Sequence, residues 1–257
     1  MQLHFDAGGD GPVLMIVHGL FGSGENWQTI ARRFESRYTV YRVDLRNHGR
    51  SGHDDLNGYD HMTEDLVEFI EAQRLSSIRL LGHSMGGKVA MHLATHFPEW
   101  VAALIVADMA PRAYPPENRL LIDALLSVDL TTFTSRREVS RGLADSIPDA
   151  RVRAFLLKGL QVSQDGSLSW KLNLKALASY YEEIVEALSI ETPYGGPTLF
   201  LRGSLSDYIR DEDMTSIRQV FPQALLETIP DAGHWLHADQ PDAFASCVLE
   251  FLEVIDG

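Results

Sequence analysis

Three residue types that together can activate a hydroxyl occur in one order along this chain: Ser84, an aspartate at 108 or 207, and His234. Ser84 lies in "GHSMG", after the apolar run Ile78–Leu81 and before a run with helical periodicity. Gly82 and Gly86 flank it at alternate positions, as a nucleophile elbow requires, because so tight a strand-to-helix turn leaves no room for bulky neighbours. Such a turn projects the Ser84 hydroxyl above a sheet edge. It also aims the N-terminus of the next helix at negative charge developing there. The chemistry this suits is nucleophilic acyl transfer, which needs a base to take the serine proton and return it to the leaving group. "IPDAGHWLHADQP" supplies His234 on a short loop behind Gly233. His237 is the rival base, but it falls where a helix begins.

The acid that would orient the imidazole has two candidates. Asp108, in "LIVADMAP", ends one strand, and Asp207, in "LFLRGSLSDYI", follows the next, Thr198–Leu201. Both strands are expected beside the nucleophile strand, so a carboxylate from either could reach His234 Nδ1. For the oxyanion, "VHGLFGSGENW" places His18 and Gly19 at the end of the strand Val13–Val17. The backbone amides of Leu20, with Phe21 as second choice, and of Met85 are the expected donors. His18 is expected to brace its loop rather than act as base. His92 and His96 have the i, i+4 spacing of a metal pair, but no acidic motif accompanies them, and a surface helix face is expected instead. The single cysteine, Cys247, lies in a C-terminal helical pattern as a small core residue, neither nucleophile nor ligand.

These residues need elements to hold them. Short apolar or β-branched runs at Val13–Val17, Tyr38–Val43, Ile78–Leu81, Ala103–Ala107, Thr198–Leu201 and Leu225–Ile229 predict strands. Helical patterns alternate with them, among them Trp27–Phe34, capped from Ser23 or Asn26, and a helix with Met62, Leu66, Phe69 and Ile70 on one face. That alternation predicts an α/β fold with a mostly parallel sheet covered by helices on both faces. It breaks at residues 111–192, which carry helical patterns at Leu120–Leu126, Val152–Leu160 and Leu174–Val185 but no convincing strand. The expected organisation is a core of residues 1–110 and 193–257 with a helical cap, 111–192, over the carboxyl end of the sheet. Tyr114, Phe133, Phe155, Trp170, Tyr180 and Tyr181 are its candidate pocket walls.

The 257 residues suit one core fold with an insertion. A net charge of −14 repels phosphate backbones and argues against nucleic acid as a partner. No run approaches the roughly 18 apolar residues of a membrane span. The N-terminal "MQLHFDAGGDGP" lacks the basic segment of a signal peptide, so a cytoplasmic location is expected.

The combination "HGLFGSGENW", "DLRNHGRS", "GHSMGGKVA", "DMAP" and "AGHWLHADQP" resembles the α/β-hydrolase superfamily, and within it the YbfF-type serine esterases. The resemblance spans nearly the whole chain. It implies hydrolysis of small-molecule esters or thioesters of short-to-medium acyl chains, with no metal or organic cofactor. It favours Asp108, which lies in a matching "D..AP" segment, and leaves Asp207 as a loop carboxylate that caps the helix after Tyr208 or adds negative charge around the site. It also makes Asp44, Arg46 and His48 loop-bracing groups. A serine at the elbow sets aside the dehalogenases and epoxide hydrolases of this fold, which use aspartate there. Two alternatives stand: a C–C hydrolase, perhydrolase or menaquinone-pathway-like lyase, and a non-enzymatic module binding a small ligand.

Overall fold

The computed structural model describes residues 1–257. Seven strands form one sheet: β1 (Phe5–Gly8), β2 (Val13–Val17), β3 (Thr39–Val43), β4 (Ile78–His83), β5 (Val101–Ala107), β8 (Thr198–Gly203) and β9 (Ala224–Ile229). Their spatial order is β1-β3-β2-β4-β5-β8-β9. All pairings are parallel except β1 with β3. The six predicted strands are present. β1 was not expected, because "FDAG" carries too little apolar pattern; its antiparallel pairing with β3 supplies the signal instead.

Side chains alternate along each strand into two cores. Met15, Val17, Leu80, Leu104, Val106 and Phe200 join one apolar cluster, while Leu14, Ile16, Leu81, Ile105, Leu199 and Leu201 join the other. The first is covered by α2 (Tyr59–Ala72), α3 (Met85–His96) and α9 (Asp213–Val220). The second lies under α1 (Gln28–Ala31), α10 (Leu236–Asp239) and α11 (Pro241–Asp256). This period-two partition is what burial on both faces of a parallel sheet demands. The predicted helix Trp27–Phe34 is reduced to a 3₁₀ turn, Gly24–Trp27, and the single turn α1. The Ser23 amide donates to Asn26 Oδ1 at 2.8 Å to start it. No helix is long and apolar enough to cross a membrane.

Between β5 and β8 the chain forms α4 (Arg119–Ser127), α5 (Arg136–Gly142), α6 (Ala150–Leu156), α7 (Leu174–Ser179) and α8 (Tyr181–Val185). It also forms an antiparallel hairpin, β6 (Leu160–Val162) with β7 (Leu168–Trp170), where no strand was expected. The hairpin closes on a turn in which Gly166 takes φ +83, a conformation suited to glycine. The predicted helix Leu174–Val185 breaks at Tyr180, so α7 and α8 are separate. This segment has its own apolar cluster, to which Phe21, after β2, contributes from outside, with Leu20 packed against it.

Candidate active site

Ser84 stands between β4 and α3 with φ 54° and ψ −123°, a conformation rarely taken by a residue with a side chain. The sequence around it permits nothing bulkier. A Cβ on Gly82 would lie 2.1 Å from the Gly86 carbonyl oxygen, and one on Gly86 would lie 2.3 Å from that of His18. The Ser84 amide donates to Ala107 O at 3.1 Å, and its carbonyl accepts from Gly87 at 2.8 Å, so the backbone is pinned on both sides. The hydroxyl makes no hydrogen bond within the chain. Nucleophile–base contacts are often looser in a free enzyme than with substrate bound.

His234 Nδ1 bonds Asp108 Oδ2 at 2.8 Å. Asp108 is fully buried at the end of β5, and its carboxylate also accepts from the Gly203 amide at 3.2 Å and from the Ser206 hydroxyl. Those bonds satisfy a buried charge that would otherwise be costly. Asp207 is not part of this arrangement. The turn after β8, with Ser206 N bonded to Gly203 O at 3.1 Å, directs Ser206 inward to Asp108 and leaves Asp207 exposed. Nor does Asp207 cap a helix, since α9 begins at Asp213. The Tyr208 ring instead stacks on His234, with centroids 3.8 Å apart and planes within 21°. Ser206 and Tyr208 escaped the sequence reading, because nothing local marks a loop residue for contact with a histidine far along the chain.

The loop after β2 turns at Gly19–Gly22, closed by Gly22 N to Gly19 O at 3.0 Å, with Phe21 at φ 64°. A Cβ on Gly19 would come within 3.0 Å of Ser84 Cβ, so this loop lies directly against the elbow. The Leu20, Phe21 and Met85 amides donate to no carbonyl of the chain and are open to a ligand. His18 braces this loop: Nε2 accepts from the Leu45 amide at 3.0 Å, so Nδ1 carries the proton and donates to Gly19 O at 2.8 Å. Burial holds its pKa below the ordinary histidine value, keeping the ring neutral. Asp44 accepts from the Gly24 and Arg50 amides, and Arg46 pairs with buried Asp65 through two bonds, at 2.6 and 2.8 Å. His48 donates to Arg46 O at 2.9 Å, and burial pushes its pKa down to about 3.

Two further histidines complete the surroundings. His83, the residue before the nucleophile, donates through Nε2 to the His234 carbonyl at 2.8 Å and so ties the elbow to the His234 loop. Burial keeps it neutral. His237 is stacked on Trp27 at 4.0 Å, with its pKa pushed down to about 3 by burial, and it makes no contact with Asp108. His92 is not on a surface face as expected. It is buried between α2 and α3, accepting from or donating to Thr63 Oγ1 at 3.0 Å and lying 3.1 Å from Asp60, while His96 stacks on it from an exposed position. No cluster of three or more His, Cys, Asp or Glu side chains is arranged to hold a metal ion. Cys247 is half-buried against the α11-side core.

A cavity of about 340 Å³ contains Ser84 and His234, with Leu20, Trp27, Phe155 and Trp235 among its walls. A second, of about 40 Å³, adjoins Ser84 and Met85 and includes Tyr114 and Tyr181. Of the expected walls, Phe133, Trp170 and Tyr180 line neither. Phe133 packs beside Gly142, and Trp170 against the apolar cluster of residues 122–181.

The α/β-hydrolase family model matches residues 14–246. The chain belongs to the α/β-hydrolase family. It is 39% identical to the sn-1-specific diacylglycerol lipase ABHD11 of Danio rerio, over 97% of this chain and 81% of that one. To the esterase YbfF of Escherichia coli it is 32% identical, over 93% of this chain and 92% of that one. Among solved structures, a marine microorganism esterase superposes with a TM-score of 0.95 at 43% identity, covering 97% of this chain and 99% of that one. The chain is an ester-bond hydrolase related to the YbfF-like esterases.

Proposed function

We propose that the chain is a serine carboxylesterase and thioesterase for small acyl substrates, working through Ser84, His234 and Asp108. The observation that carries this is that His234, paired with buried Asp108 at 2.8 Å, borders the same cavity as Ser84 on its strained elbow. Ser84 Oγ bonds to the substrate carbonyl carbon while its proton passes to His234 Nε2, the ring nitrogen not engaged by Asp108. The Leu20 and Met85 amides receive the oxyanion. Collapse breaks the bond to the leaving oxygen or sulfur, which takes the proton from His234. Water then attacks the acyl-enzyme, giving one proton to His234 and its hydroxyl to the acyl carbon. The carboxylic acid departs and Ser84 recovers its proton.

Buried Asp108 holds the imidazole in one tautomer and offsets its positive charge during both steps. Residues 111–192 serve as a cap over the site, contributing Phe155 and Leu121 to its walls. The test is turnover of p-nitrophenyl acetate and butyrate together with fluorophosphonate labelling. Labelling at Ser84, lost in Ser84→Ala along with turnover, is the expected result. An enzyme that turns over esters without labelling there overturns the assignment.

A further inference from the structure

Two cavities of very different size meet at Ser84. Ser84, Leu20, Asn118 and Tyr208 border both, but His234 borders only the larger. That asymmetry orients the substrate. In the tetrahedral intermediate the carbonyl carbon bears Ser84 Oγ, the oxyanion, the leaving oxygen and the acyl carbon. The leaving oxygen must lie within reach of His234, because its bond to carbon breaks as the imidazolium delivers a proton to it. The alcohol therefore occupies the larger cavity. The acyl carbon projects to the other side of Ser84, where the smaller cavity opens beside Met85.

We propose that the cavity of about 40 Å³ is the acyl pocket and the cavity of about 340 Å³ receives the alcohol. The enzyme is then selective for acyl groups of about two to four carbons and tolerant of large alcohols. The size follows from volume, since the smaller cavity holds about three water-sized spheres. Its lining is mostly apolar and includes Met109, Ile184 and Val185 with the aromatic side chains of Tyr114 and Tyr181. Exposed Glu117 borders its outer end, so a longer chain would leave apolar surface past a carboxylate.

The walls are also fixed. The Tyr181 hydroxyl accepts from the Asn118 amide at 2.8 Å, and the Tyr114 hydroxyl donates to Tyr208 O at 2.7 Å. The Tyr114 amide donates to Val185 O at 2.8 Å. Behind them Lys88, buried on the nucleophile helix, donates to Ile184 O at 3.2 Å and to Glu186 O, with its ammonium 5.2 Å from the Tyr114 ring centre. A pocket tied at this many points cannot widen cheaply for a longer chain.

This assignment rests on the serine-esterase chemistry above, and two substrate series test it. One varies the acyl chain, from p-nitrophenyl acetate through butyrate and hexanoate to octanoate. The other varies the alcohol at nearly constant leaving-group acidity, with phenyl, 2-naphthyl and 4-biphenylyl acetates. From butyrate to octanoate kcat/KM is expected to fall at least about tenfold, and across the acetates to stay within about tenfold. Val185→Ala, with Met109→Ala as a second enlargement, raises the octanoate-to-acetate ratio about fivefold or more, and Val185→Phe lowers the butyrate-to-acetate ratio. None of the three changes the order of the acetates. Octanoate turned over as well as acetate by the unmodified protein, or pocket variants that reorder the acetates instead of the acyl series, overturns the pocket assignment alone. Absence of both ester turnover and fluorophosphonate labelling overturns the serine-esterase chemistry and the pocket with it.

Discussion

At the scale of single residues, the chemistry proposed here makes Ser84 and Asp108 far less replaceable than their neighbours. Ser84→Ala is expected to lower kcat by about 10⁴-fold or more while the far-ultraviolet circular dichroism stays unchanged. The aspartates separate by burial and contact. Asp108 is fully buried against His234, whereas Asp207 is exposed with no side-chain partner. Asp108→Asn should cost up to about 10⁴-fold in kcat, and Asp207→Asn less than about threefold. Steady-state kinetics of both variants on one p-nitrophenyl ester checks this; equal losses would contradict a single orienting carboxylate.

Among the elements, the join of β4 to α3 carries the greatest constraint. A methyl group on Gly86 would meet the ends of β2, at 2.3 Å from His18 O and 2.5 Å from Val17 O, where no flexible side chain can give way. Gly86→Ala must therefore push the nucleophile helix away from the strand bearing the Leu20 loop. A loss of about 3 kcal/mol or more in stability is expected, with a fall in kcat, from the overpacking and the displaced oxyanion donors. Urea unfolding and kinetics on the same sample measure both. A neutral result would mean that the elbow tolerates far more slack than its geometry suggests. Arg46 offers a second measure of how loops are held. Removing it in Arg46→Ala takes two guanidinium bonds from Asp65, almost fully buried, which then keeps only the Met1 ammonium at 2.6 Å, and about 1–3 kcal/mol of stability should be lost on urea unfolding.

For the molecule as a whole, neutral buried histidines make stability sensitive to acid. His48 and His237 both have pKa values near 3 in the fold because burial disfavours the charged ring, against about 6.5 in an unfolded chain. The unfolded state thus binds the extra protons below about pH 6.5, so stability falls as pH drops from there toward 3. At pH 5 each ring contributes a loss on the order of 2 kcal/mol relative to pH 7. The urea midpoint should drop accordingly between those pH values, and His237→Phe should flatten the dependence. A midpoint unchanged from pH 7 to 5 would show that these rings are not held neutral.

The features legible in the chain act over a few residues. The glycines at 82 and 86, the order of serine, aspartate and histidine, and the short apolar runs of β2, β4, β5 and β8 express local steric and burial requirements. They suffice for a mostly parallel α/β fold and for Ser84, His234 and the Leu20 loop as candidates, and the resemblance of the combined motifs adds the α/β-hydrolase family. The tertiary structure alone decided contacts that depend on where distant loops cross. Asp108 and His234 are 126 residues apart, and which aspartate meets the imidazole depends on the turn after β8, which turns Ser206 inward and Asp207 out. The stacking of Tyr208 on His234 and the burial of His92 between two helices arise likewise from packing between elements. Weak local patterns, such as those of β1 and the β6–β7 hairpin, also became strands only through their partners. A backbone hydrogen bond to a neighbouring strand can outweigh a propensity worth a fraction of a kcal/mol per residue, and the partner is not written nearby in the chain.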